Sequence, residues 1–222
     1  MTSRASVVVL SGGQDSTTCL YWAMERFGSG NVRAISFDYG QRHRIELESA
    51  SAVAALAGVP HTVLPIDTFA ALGGNALTAG DIPVGDMPED GLPNTFVPGR
   101  NLIFITFAAA YACRYDINDI VTGVAQTDYS GYPDCRDETL RALERAVSLG
   151  MEREFSVHTP LMFLSKKETV ELAVRLGAME AMALTHTCYE GRRPPCGSCP
   201  ACRLRAKGFA EAGVRDPLLD VR

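Results

Sequence analysis

Residues 7–20 read VVVLSGGQDSTTCL, and this stretch constrains the fold more than any other. An aliphatic run, Val7 to Leu10, ends in Ser11-Gly12-Gly13, and a helix-compatible segment follows Asp15. The order is that of a buried strand, a tight glycine turn and a helix N-terminus. At such a corner, open backbone N–H groups and the positive helix end converge on one spot, which suits a phosphate. Gly12 and Gly13 place no side chain between ligand and main chain, and both can take conformations closed to other residues. Ser11, Ser16 and Thr17 add hydroxyl donors. A nucleotide loop of the GxxxxGK[ST] kind would carry a lysine here, and this loop does not.

Strand-like apolar runs recur at 7–10, 32–37, 61–66, 119–124 and 155–159. Helix-length segments fall at 42–56, 101–113, 138–149 and 166–176, the last introduced by a capping box at Ser165 and Glu168 and stopped by Gly177. Strands alternating with helices imply an α/β fold, a parallel sheet with helices on both faces and ligands at the carboxyl ends of the strands. At 222 residues, one such domain is expected over 1–184, with a small cysteine-bearing segment and a C-terminal helix over 185–222 packed on the same unit. Residues 73–100 are rich in glycine, proline and acid and have no periodicity, as in a lid, a binding loop or a disordered stretch.

No apolar run reaches the roughly 20 residues that cross a bilayer, and the N-terminal run is too short for a signal peptide. The expected location is the cytoplasm, with no membrane partner. A net charge of −5 argues against a nucleic-acid partner, although Arg192-Arg193 and Arg203, Arg205 and Lys207 form local basic runs. In a reducing compartment, clustered cysteines are metal ligands more often than disulfides. Cys188, Cys196, Cys199 and Cys202 stand in CYEGRRPPCGSCPAC, a spacing that can fold four thiolates into a tetrahedron. Four sulfur ligands leave no open position, so the metal would be structural Zn2+. An iron–sulfur cluster also takes four cysteines, but nothing else in the chain asks for electron transfer. Cys19 and Cys113 fall in apolar helices as core residues.

The SGGxDS spacing resembles the pyrophosphate-gripping loop of the PP-loop ATP pyrophosphatases, which cleave ATP between the α and β phosphates and leave AMP on a substrate oxygen. Further blocks follow in order: Tyr39-Gly40-Gln41-Arg42-His43, Val97-Pro98-Gly99-Arg100-Asn101, the run from Asp128 to Arg136, Thr159-Pro160-Leu161 with Ser165-Lys166, and Cys188-Tyr189 through Arg205. Together, across 7–209, they resemble the 7-cyano-7-deazaguanine synthase family of queuosine-precursor biosynthesis. The resemblance implies an adenine-nucleotide alpha-hydrolase-like, Rossmann-like fold. It also implies an ATP-dependent carbon–nitrogen ligase that turns 7-carboxy-7-deazaguanine and ammonia into the nitrile through adenylated intermediates. A homodimer, one structural Zn2+ per subunit and Mg2+ with ATP belong to the same expectation.

Under that resemblance Leu10, Ser11, Gly12, Gly13, Gln14, Asp15, Ser16, Thr17 and Asp38 hold the nucleotide. Asp15, Ser16 and Lys166 carry the chemistry, with Asp15 near magnesium and Lys166 stabilising charge at the phosphate. Arg100 pairs with the substrate carboxylate. Asp128 or Asp134 accepts from the N–H edge of the base, and Tyr129 or Tyr132 stacks on it. His186 departs from the pattern, standing where a bulky apolar residue is expected. The rival readings are another PP-loop adenylating enzyme (an amide ligase on a related deazapurine, or a tRNA-modifying enzyme) and a zinc-ribbon nucleic-acid adaptor. A glutaminase domain has no room in this length, which leaves free ammonia or a separate donor.

Overall fold

A computed structural model describes residues 4–41, 44–78, 91–126 and 131–220. Five parallel strands, β1 (Ser6–Val9), β2 (Val32–Asp38), β3 (His61–Pro65), β4 (Asp119–Val121) and β5 (Ser156–His158), form one sheet in the order β3-β2-β1-β4-β5. The chain builds outward from β1 through β2 to β3, then crosses back to place β4 on the other side of β1. The strand order reverses there, and a crevice opens at the carboxyl ends of β1 and β4.

Among the described residues eight α-helices accompany the strands: α1 (Gln14–Phe27), α2 (Ile45–Ala57), α3 (Thr68–Leu72), α4 (Arg100–Arg114), α5 (Asp137–Gly150), α6 (Lys166–Arg175), α7 (Met179–Met182) and α8 (Pro200–Glu211). The period-two alternation of β1 sorts them into two layers. Val8 packs with Leu20 and Ala23 of α1 and Val53 and Ala54 of α2. Its neighbour Val7 packs on the opposite face with Ala108, Ala109 and Ala112 of α4 and Val147 of α5. Val7, Val8, Ile120 and Val121 are wholly inaccessible, which is why these strands read as unbroken aliphatic runs.

The strands and long helices fall where the apolar runs place them, and Cys19 and Cys113 lie in α1 and α4. The α6 capping box forms in both directions, with Glu168 N donating to Ser165 Oγ and Ser165 N to Glu168 Oε2 at 2.8 Å. The Ser165 N–H and hydroxyl, both donating to Glu168 Oε2, hold the Glu168 carboxyl below its usual range. Gly177 follows α6 at φ +70°. Two differences have physical causes. The runs at 119–124 and 155–159 yield strands of only three residues each, because beyond Val121 the chain turns to lie against the start of α1. Helices α3 and α7 span five and four residues, too few for a sequence period to register. Within 73–100, residues 79–90 lie outside the described set, and Ala76, Thr95 and Val97 around them are buried. Among the described residues no helix is long and apolar enough to cross a membrane.

Candidate active site

The turn between β1 and α1 is held open by packing. Gly12 has φ +85°, and a Cβ there would lie 2.2 Å from the Glu46 carbonyl oxygen and 2.7 Å from Ala50 N. Only glycine lets α2 come this close. Gly123 does the same from β4, since its Cβ would stand 2.9 Å from Ser16 N. Gly13 is the N-cap of α1 and offers no side chain to the first-turn amides, which leaves them for an anion. Ser16 Oγ donates to Gly13 O at 3.1 Å, lies 3.0 Å from Ser11 Oγ and accepts from Ser11 N at 3.2 Å. The two hydroxyls are thus fixed on the same corner.

The loop forms one wall of a cavity of about 300 Å³. Leu10, Ser11, Gly13, Gln14, Asp15 and Ser16 line it from β1 and α1, and Ser36, Phe37, Thr122 and Gly123 from the ends of β2 and β4. Lys166, the first residue of α6, reaches across so that its Nζ lies 2.6 Å from Asp15 Oδ2. The other Asp15 oxygen is buried with no hydrogen-bond partner among the described residues, and so is Gln14 Nε2. An unpaired carboxylate oxygen beside an anion-binding corner suits a hard cation such as Mg2+.

The far wall is aromatic and basic. Arg100, at the start of α4, donates to the Tyr39 hydroxyl at 3.4 Å and lies close to Tyr132 and Tyr189. Burial pushes the Tyr39 phenol up to about 12 and raises Tyr132 and Tyr189 as well. Tyr132 is held by a 2.6 Å hydrogen bond between its hydroxyl and that of Thr95. Glu46, in the first turn of α2, faces the same space; burial raises its carboxyl to about 7, and Arg100 partly opposes that rise.

Of the sequence-derived site residues, Leu10, Ser11, Gly13, Gln14, Asp15, Ser16, Arg100 and Lys166 are brought together on the cavity. Gly12 and Thr17 are not on its lining: Gly12 serves the contact with α2, and Thr17 is fully buried under the loop. Asp38 pairs with Arg44, away from the lining. Asp134 accepts from Asn101 N at 3.0 Å and so caps the first turn of α4, also off the lining. Asp128 and Tyr129 lie outside the described residues. The sequence reading passed over Glu46, Tyr189, Phe104 and Arg205, all of which line the cavity. Tyr189 had a signal, as the neighbour of Cys188.

The four cysteine sulfurs, Cys188, Cys196, Cys199 and Cys202, all lie within 4.8 Å of one another, with Cys196 and Cys202 Sγ 3.9 Å apart. Cys199 is the N-cap of α8 and Cys202 is in its first turn, so both sulfurs sit at the positive helix end, while burial raises both thiols. Cys199 N donates to Cys196 Sγ at 3.3 Å and brings that thiol down to about 6. Convergent sulfurs of this number fit a closed tetrahedral site.

Besides lining part of the cavity, this segment touches the glycine turn and the lysine. His186 N donates to Gly12 O at 2.9 Å, and Gly208 of α8 lies so close to Lys166 that a Cβ on it would stand 2.9 Å from Lys166 Cβ. Arg205, 4% exposed, forms two hydrogen bonds with Asp216 at 2.6 and 2.8 Å and donates to Thr185 Oγ1, Thr187 Oγ1 and Met182 O.

A family model described as "Queuosine biosynthesis protein QueC" matches residues 5–213, from ahead of β1 to beyond α8. The chain belongs to the QueC family. Among its relatives, a "7-cyano-7-deazaguanine synthase" of Chromobacterium violaceum is 66% identical over 97% of this chain and 93% of its own. One of Laribacter hongkongensis is 66% identical over 97% and 94%. The "predicted subunit of tRNA methyltransferase" of Methanocaldococcus jannaschii superposes with a TM-score of 0.50 at 19% identity, covering 77% of this chain and 74% of that one, a likeness of fold alone. The QueC match takes in the glycine loop, the cavity wall and the cysteine cluster as one unit.

Proposed function

We propose that this QueC-family chain is an ATP-dependent carbon–nitrogen ligase that converts 7-carboxy-7-deazaguanine and ammonia to 7-cyano-7-deazaguanine. The observation that carries the reading is 66% identity, along 97% of the chain, to proteins bearing the name of that synthase. The cavity supplies the parts such a reaction needs. Oxide is a poor leaving group, so the carboxylate is first converted to an acyl adenylate that ammonia turns into the amide. The amide oxygen is then adenylated in turn and leaves as AMP.

Both halves place an oxygen nucleophile against an α-phosphate, so one loop serves twice. The first-turn amides of α1 with Ser11 and Ser16 grip the departing pyrophosphate, and Lys166 offsets the charge that develops there. Asp15 Oδ1 is the protein oxygen that would hold Mg2+, which supplies charge neutralisation of the phosphates when bound. Arg100 meets the substrate carboxylate across the cavity, where the nearby tyrosine and phenylalanine rings flank a flat base. Gly12 contributes to the nucleotide side by letting α2 lie against the loop.

The four cysteines would hold one structural Zn2+, within a segment over 185–222 that packs on the same unit as 1–184. The active assembly in this reading is a homodimer in the cytoplasm that uses small molecules only. Mass spectrometry of a reaction holding the protein, magnesium-ATP, ammonium and 7-carboxy-7-deazaguanine tests the function directly. Nitrile with AMP is the expected result. No AMP in the presence of the acid would refute it.

A further inference from the structure

Ammonia brings three protons on nitrogen to this reaction, and the nitrile nitrogen keeps none. Some group at the cavity has to take them. Among the described lining residues the carboxylates are Asp15 and Glu46, and Asp15 is engaged by Lys166 at 2.6 Å. The cavity tyrosines are pushed up by burial and are not proton acceptors near neutrality. Glu46 forms no hydrogen bond or ion pair with any described residue. Its backbone sits directly on Gly12 of the phosphate loop, so the side chain starts from the wall nearest the reacting phosphate.

We propose that Glu46 is the general base that removes protons from nitrogen, a role that rests on the ligase reading above. In the first half, the ammonia lone pair forms the C–N bond at the adenylated carbonyl carbon. The C–O bond to AMP breaks with its electron pair going to AMP, and one N–H proton passes to the Glu46 carboxylate. In the second half, the amide oxygen displaces pyrophosphate from ATP. The two remaining N–H protons then leave in turn as the C≡N bond forms and the second AMP departs with the oxygen. Glu46 passes each proton to solvent before accepting the next. The groups facing it are Arg100 from α4, Tyr39 from the end of β2 and Tyr189 from beside the cysteine cluster. Burial sets its carboxyl to about 7, where it can both accept and release a proton at working pH.

Hydroxylamine separates this role from binding, because it attacks acyl adenylates without help from a base. In Glu46→Gln, hydroxamate formation from the acid and ATP should stay within about twofold of native, while turnover with ammonia falls by about 100-fold. Expressed per free ammonia, the native rate should rise with pH through about 7 and that rise should vanish in the variant. Glu46→Asp should retain the rise at reduced rate. Native ammonia turnover in Glu46→Gln would overturn the proposal. So would a Glu46→Asp enzyme that forms hydroxamate normally but lacks the pH rise, or equal loss of hydroxamate and ammonia turnover in both variants. If the native protein forms no hydroxamate from this acid, the ligase reading itself falls and takes the base with it.

Discussion

Arg205→Met should be among the most damaging single changes outside the reacting groups. The guanidinium is 4% exposed and its partner Asp216 8%. Five hydrogen bonds leave it, two to the Asp216 carboxylate and one each to Thr185 Oγ1, Thr187 Oγ1 and Met182 O. Methionine fills similar volume but strands the Asp216 charge in a dry setting. Removing one partner of a buried pair costs about 3–5 kcal/mol. For a chain of this size that is a fall in melting temperature of roughly 6–20 °C. Asp216 Oδ1 also accepts from Leu218 N, so Asp216→Asn can keep that acceptor while removing the charge. The double variant Arg205→Met with Asp216→Asn should therefore recover part of the loss, with a coupling of about 1–3 kcal/mol. Thermal and urea denaturation of the native protein, both single variants and the double variant measure the cycle. A single-variant loss below about 1 kcal/mol, or a double variant whose loss equals the sum of the singles, would refute the reasoning.

Gly12→Ala should destabilise by about 3 kcal/mol, combining left-handed strain with overlap on the α2 backbone, and should abolish AMP formation; a fully active, equally stable variant would show that the contact relaxes. Because the folded-state carboxyl of Glu46 is raised to about 7, the native state binds more protons than the unfolded chain between about pH 4.5 and 7. Stability from this group is therefore lost as pH rises across that window, and Glu46→Gln should melt higher than native above pH 7 and with it below about pH 4.5; a difference that ignores pH would contradict the assignment. Cys199→Ser, or chelation of any bound metal, should lower the melting temperature, since a structural metal contributes folding energy, and should lower the rate per folded molecule as the segment's hold on the loop loosens. Unchanged melting after verified metal removal would rule out a structural metal.

What could be read from sequence was local. The β1 run, the glycine corner, the α6 capping box and the cysteine spacing each lie within about a dozen residues and express their physics without help from elsewhere. The sheet followed, because alternating strands and helices leave few arrangements. What escaped depends on residues distant in sequence. Nothing near Gly123 or Gly208 says that one must clear Ser16 and the other Lys166. Glu46 looks like an ordinary first-turn acid of a helix until α2 is laid on Gly12. Asp134 shows the converse. As an acid in a turn it reads as a base-binding group, whereas in the fold its carboxylate satisfies the start of α4, 33 residues earlier.

The close approaches also bear on what the cysteine segment does for the site. Metal ligands in a closed tetrahedron have no position for substrate, so any effect on chemistry has to pass through shape. Two contacts provide the path. His186, two residues before Cys188, holds the Gly12 carbonyl, and α8, which begins at the cysteines, lays Gly208 on Lys166. Gly12 opens the turn that carries Asp15, and Lys166 pairs with Asp15 at 2.6 Å. The cysteine segment thus touches both the glycine turn and the lysine. Loosening it would shift the lysine and the loop relative to each other, and misplacements of about 1 Å are enough to cost 100-fold in rate. A metal held by the four cysteines would have no part in the reaction and would still help position the groups that do.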